Sequence, residues 1–249
     1  MYEIGSNFEV FILPIEFHVR KVNLKDSILI TGFHGLGATG YITVKHMITN
    51  LNAELIGYIF TDLIPPFVCM DESKISLPFE IYKYDKYVFV LTNVPPHSRE
   101  RNNFSRALSE WTIKERFKAS YLIGGLDSRL KSSENDKIRC VITSSFKDID
   151  KIEIPILEKG LFVVGPLAIM LSYFEINNFP AIALLPYANP ARPDPMAAAI
   201  AIEFLSKLTG LSIDTSQLIS DAHKIEEEIQ ELIKQRQERT RTDHKMLYL

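Results

Sequence analysis

A glycine-rich segment between a predicted strand and a predicted helix has the spacing of a known binding motif. Gly35, Gly37 and Gly40 fit GxGxxG, in which glycines let a tight turn approach a pyrophosphate at a helix N-terminus. Asp62 follows Gly40 by 22 residues, near the end of the next predicted strand, where an acid can bind a ribose hydroxyl. One interpretation is therefore a dinucleotide-binding enzyme that uses these four residues.

The same loop contains residues that a tight phosphate-binding turn does not need. The turn begins at Gly32 and includes Phe33 and His34, so its glycines could instead allow close packing of a strand against a helix. His34 could exchange protons, although a loop histidine bonded to the backbone is the simpler interpretation. The sequence has no P-loop, HExxH or GxSxG motif, and its six histidines lack metal-ligand spacing. We predict a binding protein with no catalytic residue, metal site or cofactor.

Short apolar runs alternate with helix-period segments along most of the chain. This rhythm predicts an α/β fold with a mostly parallel sheet and helices on both faces. Strands are predicted at 27–31, 55–60, 87–92, 121–123, 139–143, 161–164 and 181–185, and helices at 36–51, 99–117, 166–177, 195–208 and 214–239.

Composition limits the classes of partner and compartment. The chain has 249 residues, 46% of them hydrophobic, which is enough for one sizeable core. A formal net charge of -3 does not suit a nucleic-acid or membrane-surface protein, because such proteins usually have a basic face. Cys69 and Cys140 are far apart, which disfavours a disulfide framework or zinc site. With no signal peptide pattern or membrane-length apolar run, we expect a cytoplasmic protein.

The last predicted helix has a narrow apolar seam. Its members are spaced 4, 3, 4 and 3 residues apart over two heptads, as in a coiled coil. The stripe becomes polar after the fifth member, which favours an arm that leaves the body and joins copies of itself. Packing on its own domain is the alternative. We therefore predict a body of residues 1–213, an oligomerisation helix of 214–240 and a flexible tail of 241–249. The seam consists of Leu218, Ala222, Ile225, Ile229 and Leu232.

Most of the chain, from about residue 28 to 232, resembles the proteasome assembly chaperone 2 family. Each matching piece is short, and it is their order and spacing that are specific. The resemblance implies a Rossmann-like, three-layer fold related to the phosphorylase/hydrolase class. The polar turn of the seam adds the expectation of a long protruding C-terminal helix. The matching stretches are residues 30–40, 52–57, 62–66, 124–126, 165–167, 179–185, 193–198 and 208–214.

The final residues, Leu247, Tyr248 and Leu249, have the form hydrophobic–Tyr–any residue. This ending is similar to that of the archaeal B-type homologues, which are homo-oligomers that bind proteasome α-subunits without ATP. The resemblance implies a homotetramer whose tails enter pockets of the 20S α-ring. There the Leu249 carboxylate would pair with a lysine, the Tyr248 hydroxyl would hydrogen-bond, and Leu247 would fill an apolar patch. The alternative is that residues 247–249 fold back on the core.

Overall fold

Eleven strands and five α-helices make up the described part of the chain, which in this computed structural model comprises residues 15–71, 74–148 and 153–246. The description excludes the side chains of residues 71, 74 and 232–246. The helices are α1 (Thr39–Asn50), α2 (Arg101–Lys114), α3 (Pro166–Ile176), α4 (Pro195–Thr209) and α5 (Ser216–Met246). The strands are β1 (Glu16–Val19), β2 (Ile28–Gly32), β3 (Glu54–Phe60), β4 (Cys69–Asp71), β5 (Lys74–Ser76), β6 (Phe79–Tyr84), β7 (Tyr87–Thr92), β8 (Ala119–Ile123), β9 (Leu126–Asp127), β10 (Ile138–Ile142) and β11 (Ala181–Ala188).

Nine of these strands form one mixed sheet, in the order β1-β3-β6-β7-β2-β8-β11-β10 with β9 beside β11. Strands β7, β2, β8 and β11 run parallel, whereas β1, β6 and β10 are antiparallel to their neighbours. Six strands therefore point one way and three the other. All residues of β2, β7, β8 and β11 are buried, as expected for central strands covered on both faces.

Helices cover both faces of the sheet centre, which gives three layers. On one face, α1, α4 and the start of α5 pack over inward residues such as Ile30 and Phe89. On the other face, α2 and α3 pack over residues such as Leu29 and Val88. Side chains alternate between the faces along each strand, because successive residues of a strand point in opposite directions. The predicted α/β class with helices on both faces is confirmed.

The capping residues of α4 behave as the sequence predicts. The Asp194 carboxylate accepts a hydrogen bond from the Ala197 N–H at 3.0 Å, with Pro195 in the first turn, and Gly210 ends the helix at φ 75°. Pro166 begins α3 in the same way. These positions follow from general rules: an N-cap needs a side-chain acceptor, and a left-handed C-cap favours glycine.

Two sequence predictions differ from the structure. The strand predicted at 161–164 does not form, and only an isolated bridge joins Lys159 and Leu161. The last helix continues to Met246, past residue 240 where its end was predicted. The apolar run at 161–164 lies instead beside a cleft, which explains its composition without a strand.

Buried polar groups join segments outside the main ladders. The Arg139 guanidinium binds Asp136 and donates from Nε to Glu158 at 2.6 Å. Glu80 is 2% exposed, and its carboxylate accepts from the Leu77 N–H at 3.0 Å and the Asn93 Nδ2 at 2.9 Å. Such charges are tolerated in the interior because each has hydrogen-bonding partners.

The two cysteines occupy opposite environments. Cys69 lies exposed on β4, and Cys140 is fully buried on β10. Burial raises the pKa of the Cys140 thiol to about 11, because the thiolate loses its hydration. Among the described helices, none is long and apolar enough to cross a membrane.

Candidate functional site

The carboxyl ends of three central strands meet at one edge of the sheet. β2 ends at Gly32, β8 at Ile123 and β11 at Ala188, and the loops that follow them converge there. In open α/β sheets, ligands bind in the crevice outside the carboxyl ends of the parallel strands. A binding site is therefore expected at this edge.

A cleft of about 310 Å³ opens at this edge. Its walls are mainly apolar, and its rim contains two very exposed side chains, Phe162 at 77% and Val164 at 70%. Exposed apolar side chains grouped around a concavity are typical of sites that bind apolar segments. The walls also include Phe33, His34, Leu36, Leu126, Leu161 and Leu167.

The central glycine of the GxGxxG segment packs against protein. Gly37 has φ 62°, and a Cβ added there would lie 2.9 Å from the Cβ atoms of both Ala188 and Asp194. Its carbonyl oxygen accepts a hydrogen bond from the Asp194 N–H at 2.8 Å. The face that would approach a pyrophosphate in a dinucleotide fold is therefore filled by the end of β11 and the start of α4.

The third glycine allows the start of α1 to contact the sheet. A Cβ at Gly40 would lie 2.5 Å from the Ile123 carbonyl oxygen and 2.7 Å from the Phe33 nitrogen. Gly35, in contrast, has open space around it. The structure thus supports the alternative in which the glycines serve close strand–helix packing.

Asp62 does not lie beside the glycine-rich loop. It follows β3, and β6 and β7 separate β3 from β2. Three strand spacings of about 4.8 Å place the two segments roughly 14 Å apart. In a dinucleotide fold the acid-bearing strand is the immediate neighbour of the glycine-loop strand. The spacing of Gly40 and Asp62 in the sequence therefore does not correspond to the arrangement that it suggested.

His34 lies in the wall of the cleft. Its ring stacks on Tyr41, with centroids 4.3 Å apart and planes 22° apart. Its Nδ1 is buried and has no hydrogen-bond partner among the described residues. Burial lowers the pKa of the His34 imidazole, which keeps it neutral near pH 7 because the cation would lose hydration.

An ion pair lies at the mouth of the cleft. Arg129 Nη2 is 2.5 Å from Asp127 Oδ2, and the Asp127 side chain also accepts from the Arg129 N–H at 3.0 Å. Hydrogen bonds from Arg129 hold the pKa of Asp127 below its ordinary value. The pair fixes the short turn Ser128–Leu130, whose Leu130 side chain adds to the exposed apolar rim.

The predicted seam of α5 divides along its length. Leu218 is 6% exposed and belongs to the core formed with α1 and α4. Ala222, Ile225 and Ile229 are half-buried, and the side chain of Leu232 is outside the described part. Leu247, Tyr248 and Leu249 also lie outside the described residues. The first seam position therefore contributes to the body of its own chain.

The sequence prediction did not find the cleft. Its rim segment, 161–164, was interpreted as a strand. A usable signal was present, because four consecutive apolar residues lie between Gly160 and Gly165. Both glycines have positive φ, 97° and 74°, which a regular strand does not contain.

Comparison with known proteins identifies the family. Residues 29–233 match the model of the PAC2 family, and the chain belongs to that family. It is 24% identical over 217 residues to the uncharacterised protein MJ0106 of Methanocaldococcus jannaschii, covering 86% of this chain and 89% of that protein. A second protein of that organism, MJ1210, is 24% identical over 232 residues, covering 88% of this chain and 90% of that protein.

Solved structures share the fold. Pyrococcus furiosus PbaA, described as an archaeal homologue of proteasome-assembly chaperone, superposes with a TM-score of 0.80 at 22% identity, covering 95% of this chain and 100% of that one. Pyrococcus furiosus PbaB, described as an archaeal proteasome activator, superposes with a TM-score of 0.73 at 17% identity, covering 88% of this chain and 98% of that one. At these identities the similarity concerns the fold.

Proposed function

We propose that this chain is a cytoplasmic proteasome-assembly chaperone or activator, which binds 20S proteasome α-subunits without ATP. Its membership of the PAC2 family across residues 29–233 is the observation that carries the proposal. Two proteins of the same fold, PbaA and PbaB, are described as a proteasome-assembly chaperone homologue and a proteasome activator.

The contact with the α-ring is proposed to be the tail, Leu247, Tyr248 and Leu249. Two apolar side chains, a phenol and a carboxylate suit capture of a chain end in a pocket between subunits. We also keep the division into a body of 1–213, an oligomerisation helix of 214–240 and a tail of 241–249 as part of the proposal, with α5 continuing through the first six tail residues.

The course of α5 supports a tail held away from the body. Arg192, two residues before Asp194, donates from Nη2 to Glu226 on α5 at 2.9 Å. Because α5 packs on α4 and Glu226 is near the start of α4, the two helices run antiparallel. Twenty residues of α5, 227–246, continue beyond this ion pair. At 1.5 Å per residue this stretch of helix is about 30 Å long.

A homotetramer joined through Ala222, Ile225, Ile229 and Leu232 would present several tails to one α-ring. Each tail contact could then be weak, because linked contacts raise the effective concentration of the others. Half-buried side chains at the first three of these positions leave apolar surface for such contacts.

A pull-down of purified 20S α-subunits tests the proposal. We expect full-length protein to retain them, and the Tyr248→Ala variant and a variant lacking residues 247–249 to lose most of the binding. Lys245→Ala is the matched control, since it alters the same tail without touching the motif. Equal retention by all four proteins would refute the tail contact. No retention by any of them would refute the proposed function itself.

A further inference from the structure

The outer edge of β1 has hydrogen-bonding groups that no described strand covers. β1 pairs with β3 from Glu16↔Phe60 to Val19↔Gly57, and the Arg20 N–H donates to the Ile56 oxygen at 2.8 Å. Backbone groups alternate in direction along an antiparallel strand. Residues 16, 18 and 20 therefore bond to β3, whereas Phe17 and Val19 direct their N–H and C=O groups outward.

This edge is short and has charged residues, but its hydrogen-bonding pattern is unbroken. Protected edges are commonly short, charged, or interrupted by proline or a bulge. β1 contains no proline, and its register with β3 is continuous. Its exposed face combines Glu16, which contacts His18 at 2.9 Å, and the following Arg20, which pairs with Glu54 on β3 at 2.9 Å. Phe17 also stacks on Trp111, with centroids 4.9 Å apart and planes 7° apart, which holds the strand firmly on the core.

The sequence of the edge is complementary to itself. When a second copy of β1 is placed antiparallel and centred on His18, Phe17 of each copy lies opposite Val19 of the other. Both have outward-facing backbone groups, so the two strands can form four N–H···O=C bonds. The same register puts Glu16 opposite Arg20 in both directions, and opposite charges directly across a ladder are favourable.

Neighbouring registers lack this complementarity. Centring the pair on Val19 also aligns outward groups, but it puts His18 opposite Arg20. Centring on Phe17 puts Glu16 opposite His18 and places no acidic residue of the second copy opposite Arg20. Only the pairing centred on His18 satisfies the outward backbone groups and gives two opposite-charge pairs.

We propose that the outer edge of β1 binds the same edge of a second copy of this chain. The contact is isologous, as a two-fold axis requires, and it joins two nine-stranded sheets into one. A partner strand of uniform charge would attract one of Glu16 and Arg20 and repel the other. A second copy of β1 offers an opposite charge to both residues. The contact is separate from α5 and from the tail, so the proposed function does not depend on it.

A backbone substitution tests the contact. Val19→Pro removes an outward N–H and none of the bonds to β3, and proline is tolerated at such edge positions. Val19→Thr is the matched control, because it keeps the N–H and nearly the same shape. We expect light scattering of the full chain at micromolar concentration to give a lower mass than wild type for Val19→Pro and an unchanged mass for Val19→Thr. An unchanged mass for Val19→Pro would overturn the proposal.

A charge exchange tests the register even if the proline variant fails to fold. Glu16→Lys places two cations opposite each other, and we expect the dissociation constant to rise about tenfold. Adding Arg20→Glu restores opposite charges across the contact and should recover much of the affinity, although it removes the Arg20–Glu54 ion pair within each chain. Sedimentation velocity measures both constants. A double variant as weak as Glu16→Lys alone, or a wild-type chain that stays monomeric, would overturn the proposal. Retention of α-subunits by the tail is a separate readout, so the two proposals can fail independently.

Discussion

Gly37 provides the sharpest test of the view that the glycine-rich loop serves packing. Its φ of 62° disfavours any other residue, by about 1–2 kcal/mol. An added methyl group would meet Ala188 and Asp194 at 2.9 Å, and overpacking of this kind costs about 1–3 kcal/mol. Gly37→Ala should therefore lower the free energy of unfolding by about 2–5 kcal/mol.

Gly35 supplies a control two residues away. It has φ -104° and ψ -147°, and nothing lies within 4 Å of an added Cβ. Gly35→Ala should change the free energy of unfolding by less than about 1 kcal/mol, because the added methyl group meets no neighbour and alanine restricts the unfolded chain.

Urea denaturation followed by circular dichroism compares the two variants. With an m-value of about 3 kcal/mol/M, we expect the midpoint for Gly37→Ala to fall by about 1 M and that for Gly35→Ala to stay within about 0.3 M of wild type. Equal midpoints for both variants would refute the argument. Calorimetric titration with NAD adds a second criterion, since micromolar binding lost in Gly37→Ala would make this glycine a ligand-binding residue.

Three further variants probe the body. Leu218→Ala should lower the free energy of unfolding by about 2–4 kcal/mol because this side chain is buried, whereas Ile219→Ala, at 38% exposure, should lower it by less than about 1 kcal/mol. Thermal unfolding measures both losses, and equal losses would contradict the placement of Leu218 in the core. Hydrogen bonds from Arg139 lower the pKa of Asp136. The stability that this interaction contributes is therefore present above the ordinary carboxyl pKa of about 3.9 and is lost as pH falls through the lowered pKa. Asp136→Asn should therefore be less stable than wild type at pH 7, and the difference in free energy of unfolding should shrink towards pH 2 in urea titrations. A difference that does not change with pH would contradict this role of Asp136. Glu80→Ala leaves neighbouring buried donors unpaired and should cost about 1–3 kcal/mol in the same assay, and a loss below about 0.5 would show that these donors find other partners.

Local rules account for much of what the sequence predicted correctly. Strand β2 lies within one residue of the predicted 27–31, and α4 begins at Pro195 after Asp194. These boundaries depend on apolar runs and capping chemistry that a short window contains. The predicted class, with helices on both faces of the sheet, follows from the same alternation.

Arrangements between distant residues were not predictable from the sequence. β6, which was not predicted, lies with β7 between β2 and β3 and removes Asp62 from the glycine-rich loop. Likewise, only the fold brings residues 161–164 to the loops after β2 and β8 to form the cleft. Spacing along the chain gives no strand order in a mixed sheet, because antiparallel neighbours can insert at either side.

The two cysteines differ in burial, so the rates at which their thiols are modified report different properties of the chain. Cys69 is exposed, so a maleimide or disulfide reagent can modify it in the native protein. Cys140 is fully buried, with a thiol pKa near 11, and its reactive thiolate forms only when β10 leaves the interior. The second modification therefore records how often the sheet opens, without any engineered label.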